Sequence, residues 1–144
     1  MQSTNQQTWL LDGNVLIALS TVSHVHHVRA YTWLAAHPGV LLATCSVTEG
    51  TLLRLVMHRE RSVGNASNCA AEAWKALKKF HARPDHIFIE GDFSYAEVNH
   101  KFITGPKEVT DAWLAQLARR SGVRVATFDN GFTVRDPDVA TLIP

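Results

Sequence analysis

The segment GVRVATFDNG, residues 122–131, sets a short apolar run between two signals that turn the chain. Gly122 suits the left-handed position that ends a helix, Val123 to Phe128 is rich in strand-favouring side chains, and Asp129-Asn130-Gly131 is turn chemistry. Just before it, Thr110 to Arg120 carries Ala112, Trp113, Leu117 and Ala118 at helical spacing. A helix leading into a buried strand is the unit of a parallel sheet, because parallel neighbours need a crossover and the crossover is usually a helix.

The same alternation runs through the rest of the chain. Thr8 to Leu11, Val40 to Thr44 and His86 to Ile89 read as strands, and a short final strand fits Ala140 to Ile143. Between them lie helical patterns at His24 to His37, ended by Pro38-Gly39, and at Ala66 to Phe80, whose Lys75, Lys78 and Lys79 form a solvated side. Another helix starts at Ser46, and Ser46 with Glu49 fits a capping box. Gly105-Pro106 breaks any regular element across Asn99 to Lys107. The expected class is α/β with a mainly parallel central sheet.

At 144 residues, 46% of them hydrophobic, the chain suits one compact domain, 1–144. A net charge of +1 gives no global basic signature, so nucleic-acid binding has to come from a local patch. Cys45 and Cys69 have no CxxC partner, which implies free, buried thiols in a reducing compartment. The start, MQSTNQQTW, lacks the basic and apolar regions of a secretory signal, and no apolar run is long enough to span a bilayer. A soluble, cytoplasmic protein with no membrane contact is expected.

Four carboxylates stand at the polar boundaries of these elements: Asp12 after a strand, Glu49 and Asp111 opening helices, and Asp129 after a strand. In a parallel sheet, functional groups collect at strand carboxyl ends and adjoining helix N-termini, so the four face one crevice if the sheet order brings those ends together. Gathered carboxylates raise one another's pKa unless a cation compensates. An oxygen-only donor set suits Mg²⁺ or Mn²⁺ better than zinc, and such an ion activates water and stabilises a phosphate in transit. Each residue also has a purely structural explanation as turn former, cap or helix-dipole partner. Spacing alone leaves both open.

LLDGNVLIAL, SVTEGTLLRL and VTDAWLAQLARRSGVRVATFDNGF, in this order, resemble the PIN domain as found in VapC toxins of VapBC toxin–antitoxin systems. The resemblance runs from about Leu10 to Phe132. It includes Asp12 with Asn14, the closing pattern from Asp111 to Phe132, and the histidine-rich stretch from His24 to Trp33. It implies a PIN-like three-layer α/β/α domain and a divalent-metal-dependent endoribonuclease that cuts tRNA or ribosomal RNA and so halts translation. Asp12, Glu49, Asp111 and Asp129 become the catalytic set. Asp12, Asp111 and Asp129 hold Mg²⁺, with Mn²⁺ as substitute, and Glu49 orients or deprotonates the attacking water. Asn14 and Thr127 are supporting residues, although Asn14 also reads as a helix cap for Val15 to Leu19.

The implied partners are the RNA substrate, a VapB-like antitoxin whose tail covers the acidic cleft, and a second copy in a homodimer. Arg54, Arg59 and Arg61 are candidate RNA-binding residues that would contact phosphates, while Arg119, Arg120 and Arg124 are expected to face solvent away from the crevice. Gly13 departs from the family, which often has an apolar residue there, and is expected to loosen the turn holding Asp12. His24 and His27 share a face if the segment is helical, but without HExxH or a cysteine pair they read as surface histidines. Trp9, Trp33, Trp74 and Trp113 read as core or interface anchors, with base stacking open for Trp33. Two other readings remain: a PIN-like nuclease of RNA processing, and a non-catalytic module holding a cationic segment in the acidic crevice.

Overall fold

A computed structural model describes residues 6–144; the polar residues 1–5, part of the stretch read above for a signal, lie outside them. Strands β1 (Thr8–Leu11), β2 (Leu41–Thr44), β3 (His86–Phe88), β4 (Arg124–Thr127) and β5 (Ala140–Leu142) form one sheet in the order β3-β2-β1-β4-β5. Every pairing is parallel. Helices α1 (Gly13–Ser20), α2 (His27–Ala35), α3 (Ser46–Ser62), α4 (Cys69–His81), α5 (Val109–Ser121) and α6 (Asn130–Arg135) connect them.

Side chains alternate across a strand, and β1 divides accordingly. Trp9 and Leu11 enter a core with Leu16, Trp33, Leu52 and Phe80 from α1 to α4. Leu10 faces the other way, against Leu114, Leu117 and Phe132 from α5 and α6. With both faces covered, the three layers are complete and the strands read as continuous apolar runs. Cys45 and Cys69 are buried free thiols. No helix among the described residues is long and apolar enough to cross a membrane.

Most departures from the sequence reading lie at element ends. Helix α2 starts only at His27, so His24 precedes it and the two do not share a helical face. The helix read from Ala66 opens with a 3-10 turn, Ala66–Asn68, before α4. Asp129-Asn130-Gly131 does not make an isolated turn but starts α6, with Asp129 as its N-cap. Gly122 does end α5, at φ 67°. Trp9, Trp33 and Trp113 are buried, and Trp33 meets Trp9 edge-on at 5.5 Å, which removes Trp33 as a base-stacking platform. Trp74 is 47% exposed and is not a core anchor.

Gly13 tightens the β1–α1 corner instead of loosening it. A Cβ at this buried position would lie 2.4 Å from Thr51 Cγ2 and 2.8 Å from Thr51 Cβ, so α1 and α3 approach closely because Gly13 has no side chain.

Candidate active site

Strand order reverses direction between β1 and β4, the two strands that start the connections to opposite edges of the sheet. Their carboxyl ends therefore leave a crevice that neither connection fills. The register pairs Leu11 with Ala126, and the Asp12 backbone N–H continues the ladder by donating to the Ala126 carbonyl at 3.0 Å. Asp12 follows β1, Thr127 ends β4, and Asp129 lies two residues further on. Asp111 enters from the first turn of α5.

Asp12, and not Asn14, caps α1: its Oδ1 accepts from the Gly13 N–H at 2.8 Å, and Asn14 lies exposed within the helix. Asn14 lines an open cavity with His24, His26, Phe128 and Asp129. The buried Thr127 hydroxyl donates to Asp12 Oδ2 at 2.7 Å and accepts from the Asp129 N–H at 3.0 Å. Thr127 thus ties two of the acidic residues together across the strand gap. Asp129 Oδ1 accepts from the Gly131 N–H at 2.8 Å, so the structural role considered for it is real and coexists with its place in the crevice.

Removing the Thr127 hydroxyl while keeping its shape isolates this link. Thr127→Val is expected to cost about 1–3 kcal/mol in urea unfolding, because buried acceptor and donor atoms lose their partner. It should also slow RNA cleavage about tenfold, an effect Thr127→Ser restores if the hydroxyl is responsible.

The electrostatics mark Asp12 and Asp111 as short of positive charge. Burial, with a smaller contribution from Asp129, raises the Asp12 carboxyl despite the hydrogen bonds from Thr127 and Gly13. Asp111 is pushed up to about 7, by burial first and then by Asp12, with Asp129 and Asp136 adding to the effect. Arg135 opposes this, donating to Asp111 Oδ2 at 2.6 Å and to Glu108 at 3.4 Å. The oxygen-only donor set, the raised carboxyls and the guanidinium drawn onto Asp111 fit a hydrated divalent cation.

Between the ordinary value of 3.8 and about 7, folded Asp111 holds more proton than unfolded Asp111. Its contribution to stability is full below the lower value and is lost as pH rises through the upper one. The Tm of metal-free protein should fall over that window relative to Asp111→Asn, and Mn²⁺ should reduce the fall; equal slopes in thermal scans of both proteins would contradict it.

Glu49 is placed differently. The cap of α3 is Cys45, one residue earlier than read, and its N–H donates to Thr48 Oγ1 at 3.1 Å. Glu49 is therefore no part of a capping box. Its Oε2 accepts from the Thr44 hydroxyl and from His81 Nε2, both at 2.6 Å. His86 Nε2 lies 2.8 Å from Thr44 Oγ1, and the His81 and His86 rings stack at 4.3 Å. Burial, then His81, lowers the His86 pKa. The structure thus brings Asp12, Asp111 and Asp129 into mutual influence, and turns Glu49 toward two histidines.

Among the described residues, Glu49, His81 and His86 form the group of possible ligands whose donor atoms all lie within 4.8 Å of one another. Sequence reasoning missed both histidines and Arg135. The partial signal was His81 in the last turn of a basic helix and His86 opening a strand; helix packing brings the first to Glu49 and the sheet register brings the second beside Thr44.

Arg54, Arg59 and Arg61 are exposed on α3, as required for phosphate contacts, and Arg54 only grazes Thr51 at 3.4 Å. Arg119 is held by Asp136 and Asp138 and Arg120 by Glu97, while Arg124 binds Thr141 and nearby carbonyls. All three are thus held by partners of their own.

The PIN domain family model matches residues 9–136. Ribonuclease VapC29 of Mycobacterium tuberculosis is 40% identical over 137 residues, covering 95% of this chain and 97% of the relative. The chain belongs to the VapC ribonucleases of the PIN-domain family. Ribonuclease VapC38 of the same organism is 38% identical over 122 residues, covering 85% of each chain. Among solved structures, VapBC2 from Rickettsia felis bound to a promoter DNA fragment matches with TM-score 0.64 at 15% identity, covering 96% of this chain and 100% of that one. VapC20 of M. tuberculosis, a sarcin-ricin loop cleaving toxin, matches with TM-score 0.61 at 16% identity, covering 88% and 93%. These two share the PIN fold with this VapC chain.

Proposed function

We propose that this VapC-family chain is a Mg²⁺- or Mn²⁺-dependent endoribonuclease, the cytoplasmic toxin of a type II toxin–antitoxin pair. The observation that supports the reading is the placing of Asp12, Asp111 and Asp129 about the β1/β4 crevice, where burial and neighbouring carboxylates raise Asp12 and Asp111 even though Arg135 binds Asp111. These three would hold the divalent ion, which supplies water activation and neutralises charge on the phosphate in transit. Thr127 fixes Asp12 and Asp129 relative to each other. Glu49 would accept the proton of the attacking water or orient it through Oε1, since Thr44 and His81 both bind Oε2.

Exposed Arg54, Arg59 and Arg61 would hold the flanking phosphates, and Asn14 stands beside Asp129 at the crevice mouth. Structured RNA, a tRNA or ribosomal RNA, is the proposed substrate; the sarcin-ricin loop activity of VapC20, which shares this fold, supports that class. A VapB-like antitoxin is proposed to bring a cation to the aspartates, as Arg135 does for Asp111 within the chain. Val22, Val25 and Val28 supply exposed apolar surface for the antitoxin or for a homodimer.

The test is cleavage of purified tRNA and ribosomal RNA by metal-stripped protein. Activity should return with Mg²⁺ or Mn²⁺ and be absent in Asp12→Asn. Cleavage that persists under chelation, or in that variant, contradicts the proposal.

A further inference from the structure

The cluster around Glu49 has a composition different from that of the aspartate crevice. Glu49 comes from the first turn of α3, His81 from the last turn of α4, and His86 from the start of β3. Thr44 and His86 lie on the same face of neighbouring strands, since the register pairs His86 with Leu42, two residues before Thr44. The stacked rings carry both Nε2 atoms toward the same carboxylate and hydroxyl.

The hydrogen bonds fix the protons. A carboxylate only accepts, so His81 Nε2 carries its proton toward Glu49, and the Thr44 hydroxyl spends its one hydrogen on Glu49 as well. His86 Nε2 must then donate to Thr44 Oγ1. Glu49 therefore receives one imidazole proton and the hydroxyl proton, and the second imidazole proton goes to Thr44 beside it. A surface ion pair explains His81 but gives no reason for the second imidazole stacked beside it.

We propose that Glu49, His81 and His86 form a second metal site, selective for Zn²⁺ and similar borderline cations, beside the aspartate crevice. Two neutral imidazoles and one carboxylate are a known donor set for zinc, whereas Mg²⁺ favours oxygen alone. Zinc takes such ligands at about 2.0–2.2 Å in a tetrahedron. The donor atoms already lie within 4.8 Å of one another; on binding, the Glu49–His81 contact of 2.6 Å opens and the wider separations close onto the ion. The ion replaces the two Nε2 protons, leaving the fourth position to water or to Thr44. Glu49 is 15% exposed and His81 42%, so the ion enters from solvent. An ion here would also withdraw Glu49 from the water-orienting role proposed above. That consequence rests on the nuclease reading, but the site does not.

The experiment uses the full chain, stripped of metal and titrated with Co²⁺ alone, read by the intense visible absorption of tetrahedral cobalt, with Zn²⁺ competing. Wild type should give one such site. His81→Ala and His86→Ala should each weaken it at least about tenfold, while Asp12→Asn and Asp111→Asn leave it within about twofold. His81→Gln, with circular dichroism on every variant, separates ligand loss from misfolding. Absence of the tetrahedral spectrum in wild type, persistence in both histidine variants, or loss in the aspartate variants overturns the proposal. In a parallel assay, Zn²⁺ should inhibit Mn²⁺-supported RNA cleavage by wild type and inhibit His86→Ala less, relative to its own zinc-free rate. Equal inhibition overturns the link to Glu49, and no cleavage by wild type defeats the nuclease reading while the spectra still decide the site.

Discussion

Asp111→Asn is expected to lower RNA cleavage by at least about 100-fold while leaving the secondary structure intact. Asparagine keeps the volume and one carbonyl oxygen but loses the charge that would bind the ion. An ionic contact of a few kcal/mol in a partly dry crevice corresponds to that factor, at about 1.4 kcal/mol per tenfold. The fold should survive because Asp111 is a source of tension in the metal-free protein: burial and Asp12 push its carboxyl up to about 7. Arg135 keeps Glu108 as a partner when Asp111 is neutral. Single-turnover cleavage across a Mn²⁺ titration, alongside circular dichroism, measures both parts. A folded variant with a rate within tenfold of wild type would remove Asp111 from the ion-binding set.

Gly13→Ala should destabilise the fold markedly although it adds only one methyl group. Its new methyl would meet Thr51 Cγ2 at 2.4 Å, a distance that carbon atoms do not tolerate, between two helices fixed by the core beneath them. Overpacking of this kind costs about 1–3 kcal/mol. The strain falls on the residue after Asp12, so cleavage should drop together with stability. Thr51→Ser removes Cγ2 but leaves Cβ at 2.8 Å, and the double variant should recover part of the loss. Urea unfolding of the four proteins gives the coupling directly. A Gly13→Ala protein as stable as wild type would mean that the corner relaxes freely.

The positions of Asp12 and Asp129 were legible because each follows an apolar run that can only be a strand, and parallel strands align their carboxyl ends. Gly122 was legible because its left-handed backbone is the ordinary end of a helix. The α3 cap was misread for a local reason. Ser46 is the common capping residue, but Thr48 offers its hydroxyl to the Cys45 N–H and moves the boundary by one residue. That single step takes Glu49 out of the capping box and points it at His81.

Other features need the assembled fold. Arg135 reaches Asp111 across 24 residues because α6 turns back beside α5, and nothing in the TVRD sequence around it announces that contact. His86 comes beside Thr44 through the β2–β3 register, and His81 reaches Glu49 from the end of α4, which packs against α3. Gly13 looked like a weak point because a missing side chain in sequence does not reveal the neighbour that occupies its space. Asp12 and Asp129 each cap a helix with one oxygen, which leaves the other for the site role proposed for them.

The aspartate crevice is proposed to cut RNA. Mapping RNA 5′ ends in cells after induction of wild type and of Asp111→Asn tests it most directly. A small set of new ends, confined to defined positions in tRNA or ribosomal RNA with wild type and absent with the variant, is the expected result. The same ends from both proteins, at matched expression, would contradict it.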